Sequence, residues 1–103
     1  MMTVLFRSRL TEEAGEEYAR TAQRLEDLAH SMPGFVSFKT FAAPDGERVS
    51  IIEFESEEAI VAWYRHPEHL AAQRRGRESF YKEYRIQVCN PVREYGFTRP
   101  AAS

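Results

Sequence analysis

The residues best suited to chemistry lie between positions 62 and 97. This segment contains the single Trp, the single Cys, two of the three His and four of the five Tyr. On a continuous helix, side chains three or four positions apart share a face, and here that face carries Trp63, His66, Leu70, Gln73 and Arg77. A large aromatic ring beside a few hydrogen-bonding groups is typical of a small-molecule pocket. The spacing therefore predicts a pocket wall, most firmly at Trp63, which precedes the helix-breaking Pro67.

Neither a nucleophilic site nor a metal site is indicated. No Ser-His-Asp or paired-carboxylate arrangement can be assembled, and Cys89 is expected to be a small buried strand residue. His66 and His69 flank Pro67, and no third ligand stands at a zinc-like spacing, so we expect no metal. Both histidines are predicted to lie at the surface beside the helix break.

Composition restricts the possible partners. The chain has 103 residues and a net charge of −2, with a pI of about 5.9. Nucleic-acid binding would require Lys and Arg clustered on one face, which is not evident. No apolar run approaches the roughly 20 residues of a membrane span, and no signal peptide is evident at the start of the chain. A single Cys fits reducing cytoplasm as the expected compartment.

Hydrophobic periodicity and turn signals predict the elements that must position these residues. Thr11 is the predicted N-cap of the first helix, and Ser56 that of the second, which is interrupted at His66-Pro67. The predicted elements are strand 2–10, helix 12–31, strands 35–41 and 49–55, helices from 57 and 68–77, and strands 80–89 and 92–97.

Alternation along the strands predicts which side chains share a face. Ser8 falls on the same face as Val4 and Phe6. We expect its hydroxyl either to bond to a neighbouring backbone group or to line a pocket. In the last long strand, Tyr84 is predicted on one face and Tyr81 on the opposite face.

The order β-α-β-β-α-β predicts an α+β, ferredoxin-like fold with a four-stranded antiparallel sheet and both helices on one face. The strands carry apolar residues on both faces, so the uncovered face needs a partner, most simply an identical sheet in a homodimer. The long final strand could then close the two sheets into a barrel. We expect one domain over 1–97 and a flexible tail over 98–103.

The chain also resembles the antibiotic biosynthesis monooxygenase (ABM) family of dimeric α+β barrels. The likeness lies in the element order, in ERVSIIEFES leading to a helix with AW, and in HPEHLAAQRRGRESFYKEYRI before VREYGF. It implies a pocket between the sheet and the second helical region, where Trp63 falls. The family includes cofactor-free quinone-forming monooxygenases, haem-degrading enzymes, isomerases and proteins without assigned activity.

The haem-degrading relatives pair such a Trp with an Asn on the first strand and a His ten residues after the Trp. The corresponding positions here are Ser8 and Gln73, and an amide is a poor iron ligand compared with imidazole. The resemblance therefore weakens, without removing, the haem-binding alternative.

Three functions are consistent with these residues. The first is a cofactor-independent monooxygenase that oxidises a phenol- or quinol-like aromatic with dioxygen. Trp63, Tyr81 and Tyr84 would form its walls, and Gln73, His66 or Arg77 would donate hydrogen bonds. The second is a non-catalytic protein that binds a small aromatic molecule in the same pocket. The third is a haem-binding relative.

Overall fold

The computed structural model describes residues 1–101, which form a four-stranded antiparallel sheet with its helices on one face. The strands are β1 (Met2–Leu10), β2 (Phe35–Ala42), β3 (Arg48–Phe54) and β4 (Tyr81–Cys89), in the spatial order β2-β3-β1-β4. The helices are α1 (Gly15–Ser31), α2 (Glu57–Tyr64) and α3 (Pro67–Arg75), followed by a short π-helix (Gly76–Phe80). The predicted ferredoxin-like fold is confirmed, with the second helical region divided in two.

The core lies where the helices cover the sheet. Val4, Ile52 and Phe54 come from the sheet, and they pack with the helix residues Ala29, Ile60 and Trp63. Apolar side chains alternate along β1 and β3 and recur every three or four positions on the helices. The strand period and the helix period therefore both direct apolar side chains into one core, where they are shielded from water.

The two predicted helix caps have different outcomes. Ser56 caps α2 as expected, because its hydroxyl accepts a hydrogen bond from the Ala59 N–H at 3.1 Å. Thr11 was predicted wrongly: α1 begins at Gly15, and the Thr11 hydroxyl donates to the Ser79 carbonyl at 2.6 Å. The Thr11 hydroxyl therefore forms a long-range hydrogen bond instead of capping the helix. This bond joins the end of β1 to the π-helix.

A bulge in β4 changes the face to which Tyr81 points. Arg9 pairs with Glu83, but Leu10 pairs with Tyr81, so Lys82 is an extra residue in the ladder. An extra residue inverts the alternation beyond it. Tyr81 therefore lies on the same face as Tyr84, and the prediction of opposite faces was wrong.

The chain after β4 does not form the strand predicted over 92–97. Residues 90–101 pair with no strand in the described part of the chain, and the side chains of Val92, Tyr95 and Phe97 are 94%, 85% and 79% exposed. Of the tail predicted over 98–103, residues 102 and 103 lie outside the described residues. Within residues 1–101, no helix has the length and apolar character needed to cross a membrane.

Candidate functional site

A cavity of about 380 Å³ lies between the sheet and the helices that cover it. All four strands contribute to its lining, as do α1, α2 and α3. Its volume falls in the range typical of small-molecule sites. Four residues of the predicted site line it: Trp63, Gln73, Tyr81 and Tyr84.

Aromatic rings form much of this lining. Phe6 stacks on Tyr84 with centroids 5.6 Å apart, and it meets Tyr81 edge-on at 5.4 Å. Trp63 contacts Phe38 edge-on at 6.2 Å. Because the β4 bulge turns Tyr81 inward, three rings from β1 and β4 meet in one cluster. Such a surface suits a flat aromatic molecule.

The Trp63 indole is held firmly but lacks a polar partner. The residue is 5% exposed, and its Nε1 atom is buried with no hydrogen-bond partner among the described residues. Buried Trp N–H groups usually find a partner, and leaving one unpaired costs about 1–3 kcal/mol. Since Trp63 lines the cavity, a small shift of the indole would let a bound molecule with an oxygen acceptor supply the missing bond.

His69 was predicted to lie at the surface, but the structure places it in the cavity wall. It is 8% exposed, and its ring meets Trp63 edge-on with centroids 4.4 Å apart. Burial lowers the pKa of His69 to about 4, so the imidazole is neutral at neutral pH. The restart at Pro67 explains the error, because a new helix begins there and carries His69 and Gln73, four positions apart, toward the cavity.

Gln73 determines which nitrogen of His69 carries the proton. Its Nε2 lies 3.2 Å from the Tyr64 carbonyl oxygen and 2.8 Å from His69 Nδ1. The carbonyl oxygen can only accept, so the Gln73 atom beside it must be the amide nitrogen. His69 Nδ1 then accepts the second N–H, which leaves the proton on Nε2. His69 is therefore a neutral hydrogen-bond donor at Nε2.

Three predicted site residues lie away from the cavity lining. His66 is the N-cap of α3, where its Nδ1 accepts from the Glu68 N–H at 3.2 Å. Arg77 is exposed on the π-helix. Ser8 is buried and lines a separate polar cleft with Arg7, Glu47 and Tyr84. Of the helical face predicted to carry the site, Trp63 and Gln73 therefore line the cavity, whereas His66, Leu70 and Arg77 do not.

Sequence reasoning also missed Arg48, which lines the cavity from the start of β3. Its guanidinium lies over the Tyr18 ring, 5.9 Å from the centroid, and its Nε atom is buried without a partner among residues 1–101. Strand alternation could have predicted this position. Arg48 is two residues before Ser50 and four before Ile52, so all three side chains lie on the same face of β3.

An ion pair joins two helices that line the cavity. Arg75 of α3 donates to both carboxylate oxygens of Glu17 in α1, at 2.6 and 2.8 Å. These bonds lower the pKa of Glu17.

No group of three or more His, Cys, Asp or Glu side chains that could hold a metal is present within residues 1–101.

Comparison with known proteins supports one family. The profile of the family "Antibiotic biosynthesis monooxygenase" matches residues 1–75. The uncharacterized protein YqjZ of Bacillus subtilis (strain 168) is 34% identical over 77 residues, which cover 75% of this chain and 68% of YqjZ.

Two solved structures share the fold at low sequence identity. Rv0793 from Mycobacterium tuberculosis has a TM-score of 0.80 at 18% identity, covering 92% of this chain and 98% of its own. SnoaB, a cofactor-independent oxygenase from Streptomyces nogalater, has a TM-score of 0.75 at 17% identity, covering 90% and 94%. The profile match and the 34% identity with YqjZ show that this chain belongs to the antibiotic biosynthesis monooxygenase family.

Proposed function

We propose that this protein is a cofactor-independent monooxygenase that oxidises a small phenol- or quinol-like aromatic with dioxygen. The observation that carries the proposal is the aromatic-lined cavity of about 380 Å³ beside Trp63, whose buried Nε1 has no hydrogen-bond partner among residues 1–101. A flat substrate would occupy the volume between the rings, and its oxygen would accept the free N–H. The cofactor-independent oxygenase SnoaB, which has the same fold, supports the proposal by analogy.

The reaction balances without any added reductant. A phenol with a hydrogen at its para carbon loses its O–H proton, and the phenolate passes one electron to dioxygen. The phenoxyl radical and superoxide combine at the para carbon, and a proton completes the hydroperoxide. Loss of the para hydrogen as a proton breaks the O–O bond and releases hydroxide. The products are a quinone and one water.

The protein's part is to hold the substrate and to stabilise its anion. Hydrogen-bond donors fixed in a site sheltered from water stabilise developing negative charge more strongly than water does. Trp63 and His69 both line the cavity, and the Nε1–H of Trp63 and the Nε2–H of neutral His69 would serve as two such donors. Phe6, Tyr81 and Tyr84 would hold the ring in one orientation.

The haem alternative is less well supported. The Gln73 amide nitrogen is engaged by His69 and by the Tyr64 carbonyl, and an amide is a poor iron ligand. The non-catalytic binding alternative requires the same cavity but no reaction, so it must be distinguished by turnover.

An oxygen electrode tests turnover with a panel of naphthols and anthrones. We expect one dioxygen consumed per quinone formed, and we expect Trp63→Phe to lower the rate at least tenfold while the protein stays folded. Val61→Ala is the matched control, because Val61 lies on the same helix, is 40% exposed and does not line the cavity. Binding of the panel without oxygen uptake would instead support a sequestering protein.

We also propose that the functional unit is a homodimer. Proteins of this family typically form dimeric α+β barrels. Leu5 and Ile51 pair across β1 and β3 on the face opposite the helices, and Val49 and Phe41 share that face. Phe41 is 48% exposed. A second copy packed on this face would remove these apolar side chains from water.

A further inference from the structure

The cavity is lined by Arg48, whose positive charge the proposed function does not explain. Arg48 pairs in register with Ser8 of β1 and Ala42 of β2. Arg48, Ser50 and Ile52 follow one another along the cavity face of β3. At about 3.3 Å per residue, Arg48 lies about 13 Å along the strand from Ile52. Since Ile52 belongs to the core cluster with Trp63, the cavity extends from an apolar region to a cationic one.

The charge of Arg48 has no counter-ion within the described residues. Arg7, Arg9 and Arg75 lie 2.9, 3.0 and 2.6 Å from Glu47, Asp45 and Glu17 respectively. Arg48 has no carboxylate within 4.0 Å among residues 1–101, and its Nε is buried and unpartnered there. A partly buried guanidinium without an acceptor is unfavourable, so an anionic ligand would stabilise it.

The nearby groups hold Arg48 without neutralising it. The Tyr18 ring lies below the guanidinium and provides a cation-π contact. Burial raises the pKa of Tyr81, with a further contribution from Tyr18, so the Tyr81 phenol stays uncharged at neutral pH and cannot neutralise Arg48. Glu26 is the one acidic side chain among the described lining residues, and it lies 3.8 Å from His30 of its own helix.

We propose that Arg48 binds a carboxylate on the substrate, so that the substrate class is an aromatic acid rather than a neutral phenol. This inference rests on the proposed function for the identity of the reacting ring. The guanidinium fork matches a carboxylate through two parallel N–H donors, and no hydrogen bond or ion pair among residues 1–101 occupies the donors of Arg48. The acid group would lie at Arg48, and the fused rings would extend toward Trp63.

The test compares two ligands that differ only in charge. Calorimetry measures binding of 5-hydroxy-2-naphthoate, which has a hydrogen para to its hydroxyl, and of its methyl ester, and quenching of the single tryptophan, Trp63, reports entry into the cavity. We expect the wild-type protein to bind the acid at least tenfold more tightly than the ester. Arg48→Gln should abolish that difference while affinity for the ester stays within about twofold. Arg48→Lys, which keeps the charge but lacks the planar fork, should retain part of it.

The control is Arg74→Gln, since Arg74 is exposed on α3 and outside the cavity lining. It removes the same charge and should leave the preference unchanged. The proposal is wrong if the wild-type protein binds neither ligand, if it binds the two equally, or if the preference persists in Arg48→Gln. Binding is measured separately from turnover. A preference for the acid without oxygen uptake would contradict only the proposed enzyme activity, and turnover of neutral phenols without the preference would contradict only the role of Arg48.

Discussion

At the scale of single residues, the chemistry of the cavity depends on a few buried polar groups. Some of them bond to other side chains, and others have no hydrogen-bond partner among the described residues. Gln73 uses its amide nitrogen to hold His69 as a neutral donor. The residue that would correspond to an iron ligand in the haem-degrading relatives therefore acts here on the neighbouring imidazole. Trp63 and Arg48 each keep a buried N–H group without a partner among the described residues, and both side chains line the cavity in which we propose that a ligand binds.

Burial of His69 predicts a pH-dependent stability. The unfolded chain binds the proton near pH 6.5, whereas the pKa of His69 in the folded protein is lowered to about 4. Between these values the unfolded state binds more protons, so stability is present above pH 6.5 and is lost as pH falls toward 4. The loss is about 3 kcal/mol at most. A smaller electrostatic contribution from His66 shifts the pKa of His69 in the same direction.

Urea denaturation at pH 7 and pH 4.5 measures this loss. We expect His69→Phe, which keeps an aromatic ring beside Trp63, to lose less stability on acidification than the wild-type protein. His66→Asn is the control, since Asn also caps helices well, and it should stay close to the wild-type slope because burial, the largest cause of the lowered His69 pKa, is unchanged. Equal slopes for all three proteins would mean that His69 is not buried in solution.

At the scale of elements, two irregularities decide which side chains reach the cavity. The bulge at Lys82 brings Tyr81 to the face of Tyr84, and the restart at Pro67 replaces His66 by His69 in the wall. Both follow from local geometry, since an extra residue inverts a strand and a new N-cap begins a new helical phase.

Ser56 and Thr11 allow the helix caps to be tested against each other. Ser56 accepts a bond at the start of α2, whereas Thr11 donates one to the Ser79 carbonyl. Ser56→Ala should therefore destabilise the protein by about 1 kcal/mol, and Ser56→Asp should be tolerated. Thr11→Asp should destabilise it, because an ionised carboxylate cannot donate and would lie beside a carbonyl oxygen.

Thermal denaturation of the three variants measures these effects. If Thr11→Asp were as stable as the wild-type protein while Ser56→Asp unfolded, the roles of donor for Thr11 and acceptor for Ser56 would be wrong.

At the scale of the whole molecule, the apolar face opposite the helices predicts a dimer. Light scattering with gel filtration should give about twice the 12.0 kDa chain mass at micromolar concentration. Ile51→Lys should shift the protein toward monomer, because it places a charge at the centre of the proposed contact. Val61→Lys, on the exposed side of α2, should leave the dimer intact. A wild-type monomer would contradict the dimeric barrel.

The amino-acid sequence by itself determined the order of elements, the four strands, the cap at Ser56 and the position of Trp63 in the buried helical face. These depend on local periodicity and turn chemistry, which operate over a few neighbouring residues. The tertiary structure alone decided that Thr11 bonds Ser79, that Tyr81 turns inward, and that Arg48 has no counter-ion among the described residues. Each of these depends on a register or a contact between residues far apart in the chain, which no local period encodes.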